Sequence, residues 1–399
     1  MAEPRREVWI TGIGIVSCLG EGPDVHWTKL NEGKPAADTT TFAPCVVHPI
    51  VAIDFDKQIP KKGDQRQMEA WQRIGTYAAG LALDNAGVKG DKALLARMDM
   101  ITAAGGGERD LAVDSAIMSG LPKAADPDTF LNERLMSDLR PTLFLAQLSN
   151  LLAGNISIVH GVTGSSRTFM GEEGAGCDAV RIALARIEAG QSDITLVGGA
   201  HNGERKDLMM LYESGGYLLK GEFRPVWERA QHPGFALGSM GAFLVLESRD
   251  HAQARGARPL ARLSAVLSDR SSRKPGAATA ALEGLWGKLA GKTAIDDEAA
   301  AIISGATGAE PATAEERAFL GRHPALPVRA TGTYIGHGME PQFSMNIALA
   351  ALAVNHGRLF APADRSGLEK PMDAPLRQVV VTGVGHWRGE GLALVEAVN

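Results

Sequence analysis

Hydrophobic positions along the chain fall into two alternating patterns. Short apolar runs, closed by glycine or a polar turn, occupy residues 8–14, 98–103, 156–159, 194–197, 234–247, 260–267, 299–303 and 379–385. Such runs read as strands buried on both faces. Between them, apolar residues recur every three or four positions. Met68, Trp71, Ile74, Ala78 and Leu81 form one stripe, followed by Gly87; Cys177, Val180, Leu184 and Ile187 form another, followed by Gly190. This period predicts helices over 67–86 and 177–187 with glycine stops. Further helices are predicted over 144–153, ending at Gly154, and over 281–290 and 339–357. Residues 21–65 and 201–233 carry no clean period, and prolines break up 108–145. Buried strands alternating with helices imply an α/β fold with helices on both sheet faces.

The pattern repeats. Helix 281–290 leads to strand 299–303 and a glycine as the first long helix leads to 98–107, and 339–357 mirrors the helix beginning near residue 172. VVVTGVG at 379–385 nearly reproduces VWITGIG at 8–14. A duplicated fold follows, with halves at 1–255 and 256–399 whose helices meet at one central site. The stretch 168–200 is its focus. A knot of Gly171, Glu172, Glu173, Gly174 and Gly176 delivers Glu173 to a helix N-terminus. Unpaired backbone N–H groups there favour negative charge and suit a nucleophile or oxyanion. The helix end favours the anion by at most ~2 kcal/mol, whereas complete burial raises a carboxyl pKa by about 3–5. A fully buried Glu173 is therefore expected to be protonated.

Composition narrows the function. A formal charge of −5 argues against non-specific nucleic-acid binding. Cys18, Cys45 and Cys177 are too few and too scattered for a disulfide framework or a zinc site, and no metal spacing links His160, His201 and His232. Gly12 and Gly14 follow a strand, but the remaining features of a dinucleotide loop are missing. No cofactor and no metal are expected. With no apolar run near ~18 residues, the expectation is a cytoplasmic protein without a membrane span.

Four segments carry a family resemblance: VWITGIGIVSCLG, GDQRQMEAWQRIGTYAAGLALDNAG, GFALGSMGAFLVLESRDHAQARGA and GHGMEPQFSMNIALAALAVNHGRLFAP. Together they resemble the β-ketoacyl-acyl-carrier-protein synthases, condensing enzymes of the thiolase-like fold, over about residues 7–398. The resemblance implies a duplicated α/β fold, layered α-β-α-β-α with two mixed central sheets. It also implies dimers, a homodimer or a heterodimer with an active ketosynthase, that pair through the strand after the focal helix, here 194–197. Acyl or malonyl thioesters of acyl carrier protein would be its partners.

Family enzymes use a cysteine nucleophile, two histidines and a lysine. By this resemblance the cysteine position is Glu173, the first histidine Gly305 and the lysine Gly332, while the second histidine is kept as His337. Thr307 and Glu316 match the family's motif after the first histidine. Thr307, His386 and Trp387 of the C-terminal loop, and Glu108 after the glycine run, are candidate substrate-pocket residues. Cys177, one turn past Glu173 and in register with Val180 and Leu184, reads as core.

Three functions are compatible with these replacements. The first is a non-condensing, chain-length-factor-like partner of an active synthase in fatty-acid or polyketide biosynthesis. The second is an atypical ketosynthase or malonyl-thioester decarboxylase. The third is a binding protein for an acyl chain or carrier. Covalent catalysis through Glu173 is discounted, because a carboxylate attacking a thioester gives a more reactive mixed anhydride.

Overall fold

The computed structural model describes residues 5–372 and 374–398. The first half runs β1 (Val8–Ser17), α1 (Ala70–Asn85), β2 (Asp99–Ala103), α2 (Leu151–His160), β3 (Ser166–Phe169), α3 (Glu172–Glu188), β4 (Ile194–His201) and β5 (Met240–Ser248). The second runs β6 (Ala261–Asp269), α4 (Ala277–Ala290), β7 (Ala300–Ser304), β8 (Val328–Ala330), α5 (Gln342–Asn355), β9 (Gln378–Val384) and β10 (Glu390–Glu396). Helix α1 starts at Ala70 because Glu69 and Gln72 close a capping box ahead of the apolar stripe.

Along the main path of the sheet each half supplies five strands, in the orders β3-β2-β4-β5-β1 and β8-β7-β9-β10-β6, and a two-residue strand, Gly20–Glu21, pairs with β1 off this path. The registers match as well: β2 is parallel to β3 and β4, as β7 is to β8 and β9, and the remaining neighbours within each half are antiparallel. The two mixed sheets join where Trp9 and Ile10 pair with Arg262 and Ala261, making one continuous hydrogen-bonded path. Helix α1 covers the outer face of the first sheet and α4 that of the second, while α3 and α5 lie between the sheets. The result is the layered α-β-α-β-α arrangement. As a helix packed between two sheets must be, α5 is buried at every position except Asn355.

Three expectations are corrected. The echo between 8–14 and 379–385 does not relate equivalent strands: β9 occupies the place of β4, and the counterpart of β1 is β6. Both echoed strands are doubly buried beneath helices, which selects the same β-branched and glycine composition. At Gly14, for instance, a Cβ would lie 2.0 Å from Ala78 O of α1. Residues 156–159 are not a strand but part of α2, which runs through Gly154 and stops at Gly161, whose φ is 79°. A four-residue apolar run cannot distinguish the two conformations, and nothing near Gly154 forces a break. Finally, β4 is not a sheet edge, because β2 and β5 hydrogen-bond it on both sides. The edge is β3, whose Ser166 and Arg167 are exposed. An uncharged apolar strand belongs inside the sheet, and a polar one tolerates the rim.

Among the described residues, no helix is long and apolar enough to cross a membrane.

Candidate functional site

The central helix α3 begins with an unusual turn. Gly171 has φ 118° and Glu172, a non-glycine residue, has φ 57°. The other described non-glycine residue at positive φ is Met339 (φ 54°), two residues after His337. Left-handed conformations of this kind persist where the surroundings enforce them, and they concentrate at working sites. Here they flank the two members of one contact. Glu173 Oε1 lies 2.9 Å from His337 Nε2. His337 is strapped in place by its backbone, its N–H donating to Ala236 O (2.7 Å) and its carbonyl accepting from Gly238 N–H (2.9 Å).

A second imidazole arrives from the turn between β9 and β10. His386 Nε2 lies 3.9 Å from Glu173 Oε1 and 3.4 Å from Thr307 Oγ1. Arg273 holds that turn: its guanidinium donates to Gly385 O (2.6 Å) and His386 O (3.2 Å), and it pairs with the buried Glu390 carboxylate. The Phe235 ring packs against both imidazoles, with centroids 5.2 Å from His337 and 4.8 Å from His386. Each histidine side chain is only 2% exposed, and that of Glu173 12%. A cavity of about 20 Å³ adjoins the cluster, lined by Glu173, His337, Gly305, Phe343 and Asn346 among others. It has room for about one water molecule.

The charge of Glu173 differs from the expectation. Burial pushes its carboxyl up, but the hydrogen bond and charge of His337, with a smaller contribution from His386, hold its pKa at about 2. Burial keeps His386 down at about 4 despite the Glu173 charge beside it, so this imidazole is neutral at pH 7. The His337 hydrogen bond is therefore the decisive contact. An ionised carboxylate carries no proton, so His337 Nε2 must donate. This donor lies 164 residues away in sequence, outside any local pattern around Glu173. Next door, Glu172 moves the other way, raised to about 7 by burial and by repulsion from Glu173 and Glu340, with Arg388 opposing.

The remaining predicted residues divide. Gly305 lines the cavity, yet a Cβ there would lie 2.7 Å from Thr382 O and 3.2 Å from Gly383 Cα. At Gly332 a Cβ would meet Ala306 O at 3.0 Å and Val226 Cγ2 at 3.3 Å. A side chain at Gly305 would press on the backbone of β9, and one at Gly332 would be tight against Ala306 O and the Val226 side chain. Thr307 is buried and touches His386. Trp387 points away, 43% exposed and stacked on Tyr212 at 5.9 Å. Glu108 accepts from Trp71 N–H (3.2 Å) and Asn202 Nδ2 (3.1 Å), and it lines a different cavity of about 550 Å³. Cys177 sits in the core with its Sγ 3.8 Å from Leu267 O, and burial raises its thiol pKa. Arg273 and Phe235 were not anticipated. Arg273 falls in a polar loop and Phe235 in an apolar strand, and neither pattern signals a role at a site.

Comparison with known proteins agrees with this geometry. The family model described as "Beta-ketoacyl synthase, N-terminal domain" matches residues 5–252, more than half of the chain. The chain is 25% identical over 266 residues to 3-oxoacyl-[acyl-carrier-protein] synthase 2 of Vibrio cholerae, covering 64% of this chain and 61% of that enzyme. It thus spans about three fifths of the length of that relative. It is 24% identical over 409 residues to the tetracenomycin polyketide synthase ketoacyl synthase beta subunit of Streptomyces glaucescens, covering 96% of both. Among solved structures, the ishigamide ketosynthase/chain length factor superposes with a TM-score of 0.80 at 20% identity, over 99% of this chain and 100% of that one. With the duplicated layered fold and the residues converging at the N-terminus of α3, these matches establish that the chain belongs to the β-ketoacyl synthase family.

Proposed function

We propose that this chain is a non-condensing, chain-length-factor-like partner of an active β-ketoacyl synthase in fatty-acid or polyketide biosynthesis. The observation that carries the reading is the Glu173–His337 pair. The position at which the family presents a thiolate holds a carboxylate, ionised and bonded to the one retained histidine. Acyl transfer needs a nucleophile whose acyl product is no more reactive than the donor, and Glu173 does not provide one. The neighbouring thiol, Cys177, is buried and protonated. Gly305 and Gly332 supply no side chain where the resemblance puts the first histidine and the lysine, so the decarboxylation half of a condensing site also lacks its groups.

A partner role needs a surface. The edge strand β3 carries unpaired backbone groups along one side, and Ile158 of α2 (71% exposed) and Met170 (67% exposed) flank it. An open edge with apolar neighbours favours strand pairing with another subunit. On this reading two such edges join their sheets across a dimer, and an acyl carrier protein delivers the thioester to the active subunit. A solved complex described as a type II polyketide synthase acyl-carrier protein with its ketosynthase has this fold, with a TM-score of 0.74.

One observation favours a second reading, malonyl-thioester decarboxylation. His386 restores a second imidazole beside residue 173, 3.9 Å from Glu173 Oε1, although it comes from a different loop than the family's first histidine. The test is to mix the chain with an active β-ketoacyl synthase from the same source and record complex mass, product length and CO₂ release from malonyl-carrier together. The partner reading expects a 1:1 complex whose product length differs from that of the synthase alone. A chain that stays apart from the synthase and releases CO₂ by itself supports the decarboxylase and contradicts the partner reading.

A further inference from the structure

The three side chains at the centre of the site form a set that neither the family resemblance nor the comparisons assign. One potential ligand atom from each of Glu173, His337 and His386 lies within 4.8 Å of the other two. Two of the separations are 2.9 Å and 3.9 Å. Ligand atoms around a four-coordinate zinc with ~2.0–2.2 Å bonds stand roughly 3.3–3.6 Å apart, a spacing that these separations bracket. Two imidazoles and one carboxylate suit a borderline divalent transition metal, whereas calcium and magnesium prefer shells built of oxygen.

We propose that Glu173, His337 and His386 form a binding site for a divalent transition metal of the zinc class, with the fourth position open to the adjoining cavity. This inference is independent of the partner reading.

Three further features support it. First, the ligands are held before any metal arrives. His337 is fixed by backbone hydrogen bonds to Ala236 and Gly238, and His386 by the Arg273 clamp on its turn. Phe235 packs on both rings and limits their rotation. Binding then requires side-chain adjustment of about an ångström rather than assembly of the site from distant parts. Second, polar atoms of these three residues are left without partners in a buried setting. Among the described residues Glu173 Oε2, His337 Nδ1 and His386 Nδ1 have no hydrogen bond. Of these, Glu173 Oε2 belongs to a proposed ligand group and is available to join the coordination as its second carboxylate oxygen. Third, the cavity of about 20 Å³ beside Glu173 and His337 admits one water, which a three-ligand centre needs to complete four-coordination.

The test uses the full chain. After incubation with zinc and gel filtration in metal-free buffer, elemental analysis should find one zinc per chain, and Glu173→Gln and His386→Gln should each lower zinc affinity at least tenfold. Retention at background level, or equal retention by correctly folded Glu173→Gln, overturns the site. If either variant fails to fold, cobalt bound to the unmodified chain decides. Intense visible bands of four-coordinate cobalt support the assignment, and a weak six-coordinate spectrum or none contradicts it.

Discussion

Glu173 and Glu316 are carboxylates buried in opposite halves of the molecule, yet their pKa values move in opposite directions. Glu173, at the start of α3, accepts a hydrogen bond from an imidazole, and its pKa falls to about 2. Glu316 lies beside β7, with Oε1 accepting from Ser304 Oγ (2.6 Å) and from the Thr382 hydroxyl and with Oε2 unpartnered among the described residues. There burial prevails and raises the pKa, because two hydroxyls stabilise the anion less than an imidazole N–H with its charge. Burial therefore does not set the charge of a carboxyl group in this fold; the donor it meets does.

The sharpest way to break this contrast is to remove the donor. His337→Leu should turn Glu173 into a second Glu316, and breaking a buried pair in this way costs about 3–5 kcal/mol at pH 7. Chemical denaturation across pH would check it. The Glu173 carboxylate stabilises the unmodified fold above the ordinary pKa of 4.5, and that contribution is lost as pH falls toward about 2. In His337→Leu it should be absent, and a variant as stable as the unmodified chain at pH 7 would show that the pair is not coupled. Next in size is Gly305→His. A Cβ 2.7 Å from Thr382 O forces β9 to move, at a cost of about 1–3 kcal/mol. It should lower the melting temperature without restoring condensation, and an unchanged melting temperature would mean that the space is open. The smallest effect belongs to Glu316→Gln, which mimics the protonated acid. With a raised folded pKa, the native carboxyl costs nothing at low pH and progressively more as pH rises above 4.5. The variant should match the unmodified chain at pH 4 and melt at a higher temperature at pH 8; the reverse trend would place a charge on Glu316.

Much of this architecture is written in local pattern. The stripes at 68–81 and 177–187 name α1 and α3, and the apolar runs name most sheet strands, because doubly buried elements leave a strong period or a strong run. The Glu173–His337 contact was legible from the family resemblance, since both positions fall on its catalytic motifs. What the pattern hid depends on distant neighbours. Residues 156–159 continue a helix because nothing after Gly154 opposes it, and β4 is interior because β2 and β5 both reach it. His386 approaches Glu173 only because Arg273 folds the β9–β10 turn inward, and no spacing along the chain records that clamp. The charge of Glu173 was misjudged for the same reason, since its donor lies 164 residues away.

Intact-protein mass spectrometry on the purified chain, after incubation with an acyl-carrier thioester and malonyl-carrier, tests the central claim most directly. With an ionised carboxylate at position 173 and a buried thiol at 177, the mass should stay unchanged and no condensed product should form. A mass increase equal to the acyl group, mapped to Glu173 or Cys177, would show that the site still accepts an acyl chain and would contradict the account.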